Sequence, residues 1–214
     1  MKYTAFLLTI GWCLISCHPG TQPPSGERTL QSYFKAIEPA DTLRFEVANE
    51  DWASAGDTLP NSLFFSQMET RIMNHVPYFD NSGQLVVKAE SRFPLTDNVE
   101  AYLVDMIQGW YRHKSLFLYD RQKKEFTDRL TVADFFGGDG GQILTGSYLL
   151  DYDGDGDKDL VHREMEHWII LDDENTRDTL AESAALLLWD GKGFKEVEAD
   201  SASLVKGFPV TSIW

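Results

Sequence analysis

From about residue 80 onward, the chain is a succession of short apolar or alternating runs closed by turn residues, with no long helical segment between one run and the next. The runs are QLVVKAESRF, preceded by the turn sequence DNSG at 80–83, then EAYLVDMI, KSLFLYD, GQILTGSYLLD, DLVHREMEHWIIL, SAALLLWD and GFKEVEA. They are rich in Tyr, Val, Ile, Leu, Phe and Trp, the side chains that pack well on a pleated surface. Parallel neighbours would need a crossover of a dozen or more residues, so successive strands are expected to pair antiparallel. The stretch ALLLWD-GKG-FKEV reads as a hairpin turning at Gly191 and Gly193. The expected fold is therefore mainly β, with one or more antiparallel sheets in a blade-like or sandwich-like arrangement. One or two short helices are expected before it, over Thr29–Glu38 (Leu30, Phe34 and Ile37 on one face) and Asn61–Met73 (Phe64, Met68 and Ile72). An apolar content of 43% is enough for one packed core.

One connection between these runs carries chemistry. The segment LLDYDGDGDKDLVHRE, residues 149–164, places Asp151, Asp153, Asp155, Asp157 and Asp159 within nine positions. Such a concentration of like charge favours an open loop unless a cation reverses the balance. Hard divalent ions prefer oxygen ligands, and Ca2+ takes about six to eight of them at roughly 2.3 to 2.6 Å. Side chains at the first, third and fifth loop positions, a carbonyl at the seventh and a carboxylate at the ninth can supply them. Counted from Asp151, these are Asp151, Asp153, Asp155, the carbonyl of Asp157, and Asp159, with Gly154 and Gly156 where the chain must turn sharply. An EF-hand also needs an acid at the twelfth position and helical flanks, but here the twelfth residue is His162 and both flanks are strand-like. The loop instead resembles the strand-loop-strand calcium sites of integrin-type (FG-GAP-like) repeats, with Asp159, Leu160 and Val161 as the characteristic ending. That resemblance implies a structural Ca2+ held over residues 151–159. A closed propeller is not expected, since it needs at least four blades of roughly 40 residues. Only about 135 residues are strand-like, and the Asp-rich pattern occurs once.

The first residues, MKYTAFLLTIGWCLISC, combine Lys2 with an uncharged run too short to span a bilayer as a permanent helix. Leu14–Cys17, LISC, resembles the lipobox of bacterial lipoproteins. The resemblance implies cleavage before Cys17 and acylation of that residue. Residues 1–16 would then be a signal peptide, 17–28 the lipidated cysteine with a Pro/Gly/polar tether, and 29–214 a single mainly β domain. Because the only cysteines are Cys13 and Cys17, the processed protein would have no disulfide and no thiolate metal site. Lipobox, tether and Asp-rich loop together resemble secreted lipoproteins of the Bacteroidetes type. They imply a location on the bacterial envelope, with the outer membrane expected and either its periplasmic or its surface face.

Formal net charge is −15, and removing residues 1–16, whose one charge is Lys2, makes it −16. Nucleic acid is excluded as a partner by this balance, because duplex binding depends on neutralising phosphates. The membrane is to be reached through the lipid and not through the protein surface. The other signals are read as structural. HREMEH (162–167) is one residue too long for the inverted zinc-peptidase pattern; on a strand it places His162, Glu164 and Glu166 on one face and Arg163, Met165 and His167 on the other. FFGGDGGQ (135–142) lacks the Lys and Ser/Thr of a P-loop and reads as a turn, with Asp139 a candidate for a second cation site. Trp110 and Tyr111, in GWYRHKSLFLYD, are candidates for binding sugar or peptide, against the ordinary reading of core packing. No Gly-x-Ser-x-Gly elbow occurs. The expectation is a non-enzymatic binding or scaffolding module with an envelope polysaccharide or protein partner. Its rival is a calcium-stabilised hydrolase acting on envelope polysaccharide or peptide.

Overall fold

The computed structural model describes residues 28–47, 56–73, 85–109, 111–138, 140–171 and 176–211. The described chain is mainly β, with one large mixed sheet that does not close into a barrel. Its spine is an antiparallel meander of β4 (Leu85–Pro94), β5 (Val99–Gln108), β6 (Tyr111–Asp120), β7 (Glu125–Gly138), β8 (Gly141–Leu150), β9 (Asp159–Leu171), β10 (Thr176–Trp189) and β11 (Phe194–Val197). Three short N-terminal strands join it. β1 (Lys35–Ala36) runs parallel to β4 at Ser91–Arg92, β3 (Asp57–Leu59) pairs antiparallel with β4, and β2 (Thr42–Phe45) pairs with the end of β8. β7 splits its partners: residues 125–135 lie on β6, and 134–138 on the start of β8. β2 then takes the place beside β8 that β7 has left, from Phe45↔Ser147 to Thr42↔Leu150.

Two hydrophobic cores lie on opposite faces of β4–β6, which is why β5 is buried almost along its whole length instead of alternating. Tyr102, Val104, Met106 and Phe117 point into one core, closed by Leu30, Phe34, Leu59, Phe64 and Ile72 from the N-terminal segments. Ala101, Leu103, Leu116 and Leu118 point into the other, where they meet Leu149, Leu160 and Trp189 from β8, β9 and β10. β4 serves both cores through a bulge at Glu90, the residue skipped between the pairs Ala89↔Val104 and Ser91↔Leu103. Leu85, Val87 and Ala89 fill the first core, and the extra residue turns Phe93 into the second.

α3 (Ser201–Gly207) lies against β10 and buries Leu204 with Val161 and Leu186. It is held there by Arg163, which is fully buried. Its guanidinium donates to the carbonyls of Val205 (2.9 Å) and Phe208 (2.5 Å) at the end of α3 and to Glu182 (2.6 Å) on β10. The helix begins at Asp200, whose carboxylate accepts from the amides of Ala202 and Ser203.

The sheet, the antiparallel order and the 190–193 hairpin are as the sequence leads one to expect. The N-terminal helices differ. Thr29–Glu38 forms only a 3-10 turn at Leu30–Tyr33 before β1, because its apolar residues serve different cores: Leu30 and Phe34 the first, Ile37 the second. A single helical face could not reach both. Asn61–Met73 divides into α1 (Asn61–Ser66) and α2 (Thr70–Met73), with Phe64 and Ile72 still sharing the first core. The turn DNSG at 80–83 lies outside the described residues.

Candidate metal centre

The Asp-rich loop connects the end of β8 to the start of β9. Its path is set by the chain's own carboxylates accepting from its own amides. Asp151 accepts from Gly154 (2.8 Å, Oδ1) and Gly156 (3.1 Å, Oδ2), Asp153 from Asp155 (3.1 Å), and Asp155 from Asp157 (2.8 Å). Gly154 and Gly156 take φ of +83° and +95°, the left-handed region that a side chain would disfavour.

Asp159 anchors the loop to the sheet. It is 2% exposed, and its two oxygens accept from different elements: Oδ2 from the Tyr152 amide (3.0 Å) and Oδ1 from the Trp189 amide at the end of β10 (3.0 Å). One buried carboxylate thus joins the loop after β8, the start of β9 and the end of β10. Next to it, the Lys158 ammonium donates to the Asp41 carbonyl ahead of β2 (2.6 Å), which brings the fourth strand of this corner into contact with the loop.

Of the five aspartates, the fold brings together three. Carboxylate oxygens of Asp151, Asp153 and Asp159 lie within 4.8 Å of one another. Ligand oxygens on opposite sides of a Ca2+ ion are roughly 4.6 to 5.2 Å apart, so a single ion can touch all three. The donor set is also right for a hard cation, being carboxylate only and oriented by backbone N–H groups that leave lone pairs free. Among the described residues none of the five aspartates forms a salt bridge. The carboxylates of Asp155 and Asp157 stand outside the group. Asp157, with Gly156, borders an open cleft of about 500 Å³ whose other walls are the β4–β5 turn, Pro94 to Asp97, and Arg121. Sequence gave no sign of this cleft, because its walls come from two turns and a loop far apart in the chain.

The remaining sequence candidates fall elsewhere. Cys17, Trp110 and Asp139 lie outside the described residues. Tyr111 is 6% exposed and packs against His113 and Phe136, so its ring belongs to the interior. The HREMEH stretch alternates as a strand should: Arg163, Met165 and His167 are buried, and His162, Glu164 and Glu166 are half-buried on the other face. On that second face Glu164 sits opposite Thr145, whose hydroxyl donates to Asp134 (3.0 Å). Burial pushes the Asp134 carboxyl up to about 6, against the Thr145 hydrogen bond and with help from the Glu164 charge. Burial likewise raises Glu164, with Glu166 adding to the effect, and lowers His162. Asp134 was not singled out by sequence, since nothing local links it to residues thirty positions away.

No family model, no curated protein and no solved structure matches the chain.

Proposed function

We propose that this chain is a lipid-anchored binding or scaffolding module of the bacterial envelope, in which a Ca2+ ion held by Asp151, Asp153 and Asp159 fixes one corner of the sheet. The observation that carries the reading is the convergence of those three carboxylates, one of them buried and hydrogen-bonded both to the loop at Tyr152 and to the end of β10 at Trp189. The ion would neutralise a group of charges that repel one another. It would also clamp the exposed Asp151 and Asp153, which the loop carries, to Asp159, which the sheet carries. The consequence is a rigid β8–β9 connection beside the cleft at Asp97 and Arg121. The anchor is supported by the lipobox-like Leu14–Cys17 and the tether behind it.

Calcium titration by calorimetry tests the metal. The full chain in detergent is compared with an Asp151→Asn/Asp153→Asn variant, whose substitutions are at exposed positions and leave the core untouched. Heat of binding in the parent chain that disappears in the variant supports the reading; equal heats from both proteins, or none from either, overturn it.

A further inference from the structure

The β9–β10 hairpin outgrows the sheet. β11 pairs with β10 only from Leu186 to Trp189, and α3 covers the strand as far as Ala184, whose amide donates to the Ser201 hydroxyl (2.9 Å). Before that point, Thr176 to Ser183 are all exposed, and among the described residues no strand pairs with the outer edge of this segment. The Ala184 amide also fixes which backbone groups point outward. In an antiparallel strand, alternate residues turn N–H and C=O to the same side, and the β9–β10 register runs without a break. The even-numbered residues Thr176, Asp178, Leu180 and Glu182 therefore offer their backbone groups to the outside.

Protein chains normally protect such an edge by keeping it short or covered, or by studding it with lysine. This one carries no lysine, its charges being Arg177, Asp178 and Glu182, and it has apolar side chains around it: Leu180 is 53% exposed, Trp168 44%, Ile169 42% and Ile170 43%. Leu180, Asp178 and Glu182 share one face of the sheet, giving the order acid, leucine, acid along the free edge. Glu182 meets Arg163 and Asp178 meets His167 on that face, and both carboxylates remain on the rim. A strand laid alongside would place its own side chains next to these three, where opposite charges attract and like charges repel.

We propose that the outer edge of β10, Thr176 to Glu182, is a docking strand for a partner protein that adds an extended basic segment to the sheet, with the pattern basic-x-aliphatic-x-basic facing Glu182, Leu180 and Asp178. Backbone pairing supplies the affinity and the acid-leucine-acid row supplies the selection. A second copy of this acidic chain fits poorly, because its own edge would bring carboxylates against carboxylates.

The test uses the full chain in detergent and two fluorescein-labelled nine-residue peptides, TTKTVTKTT and TTETVTETT, followed by fluorescence anisotropy. The lysine peptide is expected to bind about tenfold more tightly than the glutamate peptide, from two cross-strand charge pairs reversed in sign. Leu180→Pro removes one outward N–H and leaves the β9 ladder intact, and should weaken the lysine peptide about tenfold at an unchanged melting temperature. Asp178→Lys, which needs no backbone change, should do the same if the proline disturbs folding. Equal binding of both peptides, binding indifferent to both variants, or no binding at about 1 mM overturns the proposal. So does sedimentation showing a dimer that Leu180→Pro converts to monomer, since the edge is then covered by a second copy.

Discussion

Calcium should reverse the stability order of two proteins that differ only in the loop. Three carboxylates within 4.8 Å repel one another by about 1 kcal/mol per pair even at the dielectric constant of water, before salt screening. In chelator, the Asp151→Asn/Asp153→Asn variant should therefore melt at or slightly above the temperature of the parent chain. In calcium the order inverts. If the loop binds Ca2+ in the range of about 0.1 to 1 mM common to extracellular calcium modules, about 10 mM Ca2+ should stabilise the parent by up to about 2.7 kcal/mol through linkage. For a domain of this size each kcal/mol moves the melting temperature by roughly 2 to 4 °C, and the expected rise is about 5 to 10 °C. The variant, left with one carboxylate of the three, should not move. Scanning calorimetry in EDTA and in calcium gives all four temperatures. A parent chain that melts at the same temperature in both buffers, or a variant that gains as much as the parent, refutes the clamp.

Replacing Arg163 by Met leaves the α3 carbonyls and Glu182 without their donor and should lower stability by about 3 kcal/mol, read from urea unfolding. Asp134 has a folded value near 6, above its unfolded value near 4, so its contribution is present at pH 4 and lost as pH rises through 6. Unfolding free energy should thus fall by up to about 3 kcal/mol between pH 4 and 7 at this site, and Asp134→Asn should flatten that part of the profile. Cys17→Ser should abolish incorporation of radiolabelled palmitate in bacteria expressing the chain and move it from the membrane to the soluble fraction; retained label refutes the lipobox reading.

Sequence reveals most clearly those strands whose side chains answer to one rule along their length. β5, β8 and the second half of β6 are dense in apolar residues because both of their faces, or most of one, are buried, and they stand out at once; the first half of β6 buries Arg112, His113 and Ser115 and does not. β7 does not stand out, although it is one of the longest strands. Thr127, Asp128, Arg129, Thr131 and Asp134 interrupt its pattern, and a bulge at Val132 sends two successive residues, Val132 and Ala133, into the same core. The two-residue β1 is invisible for another reason: its partner lies more than fifty positions away, and local spacing reads Leu30, Phe34 and Ile37 as one helical stripe. α3 carried a signal that could have been used, an Asp200 cap ahead of Leu204. At the loop, spacing pointed to the carboxylates of Asp151, Asp153, Asp155 and Asp159 and to the carbonyl of Asp157. Which three converge depends on Asp159 being fixed by the amide of Trp189, thirty residues on, and no local pattern contains that.

The single extra residue at Glu90 divides the tolerance of this protein unevenly. Swapping one aliphatic side chain for another along 85–94 disturbs one neighbourhood at a time. Losing one codon there would keep nearly the same letters and the same oiliness, yet would rotate everything beyond the deletion by half a turn. Phe93 would then face the wrong interior, and β1, which reads its register from Ser91 and Arg92, would be displaced with it. Drift in this gene should therefore be rich in replacements across that strand and almost empty of length changes.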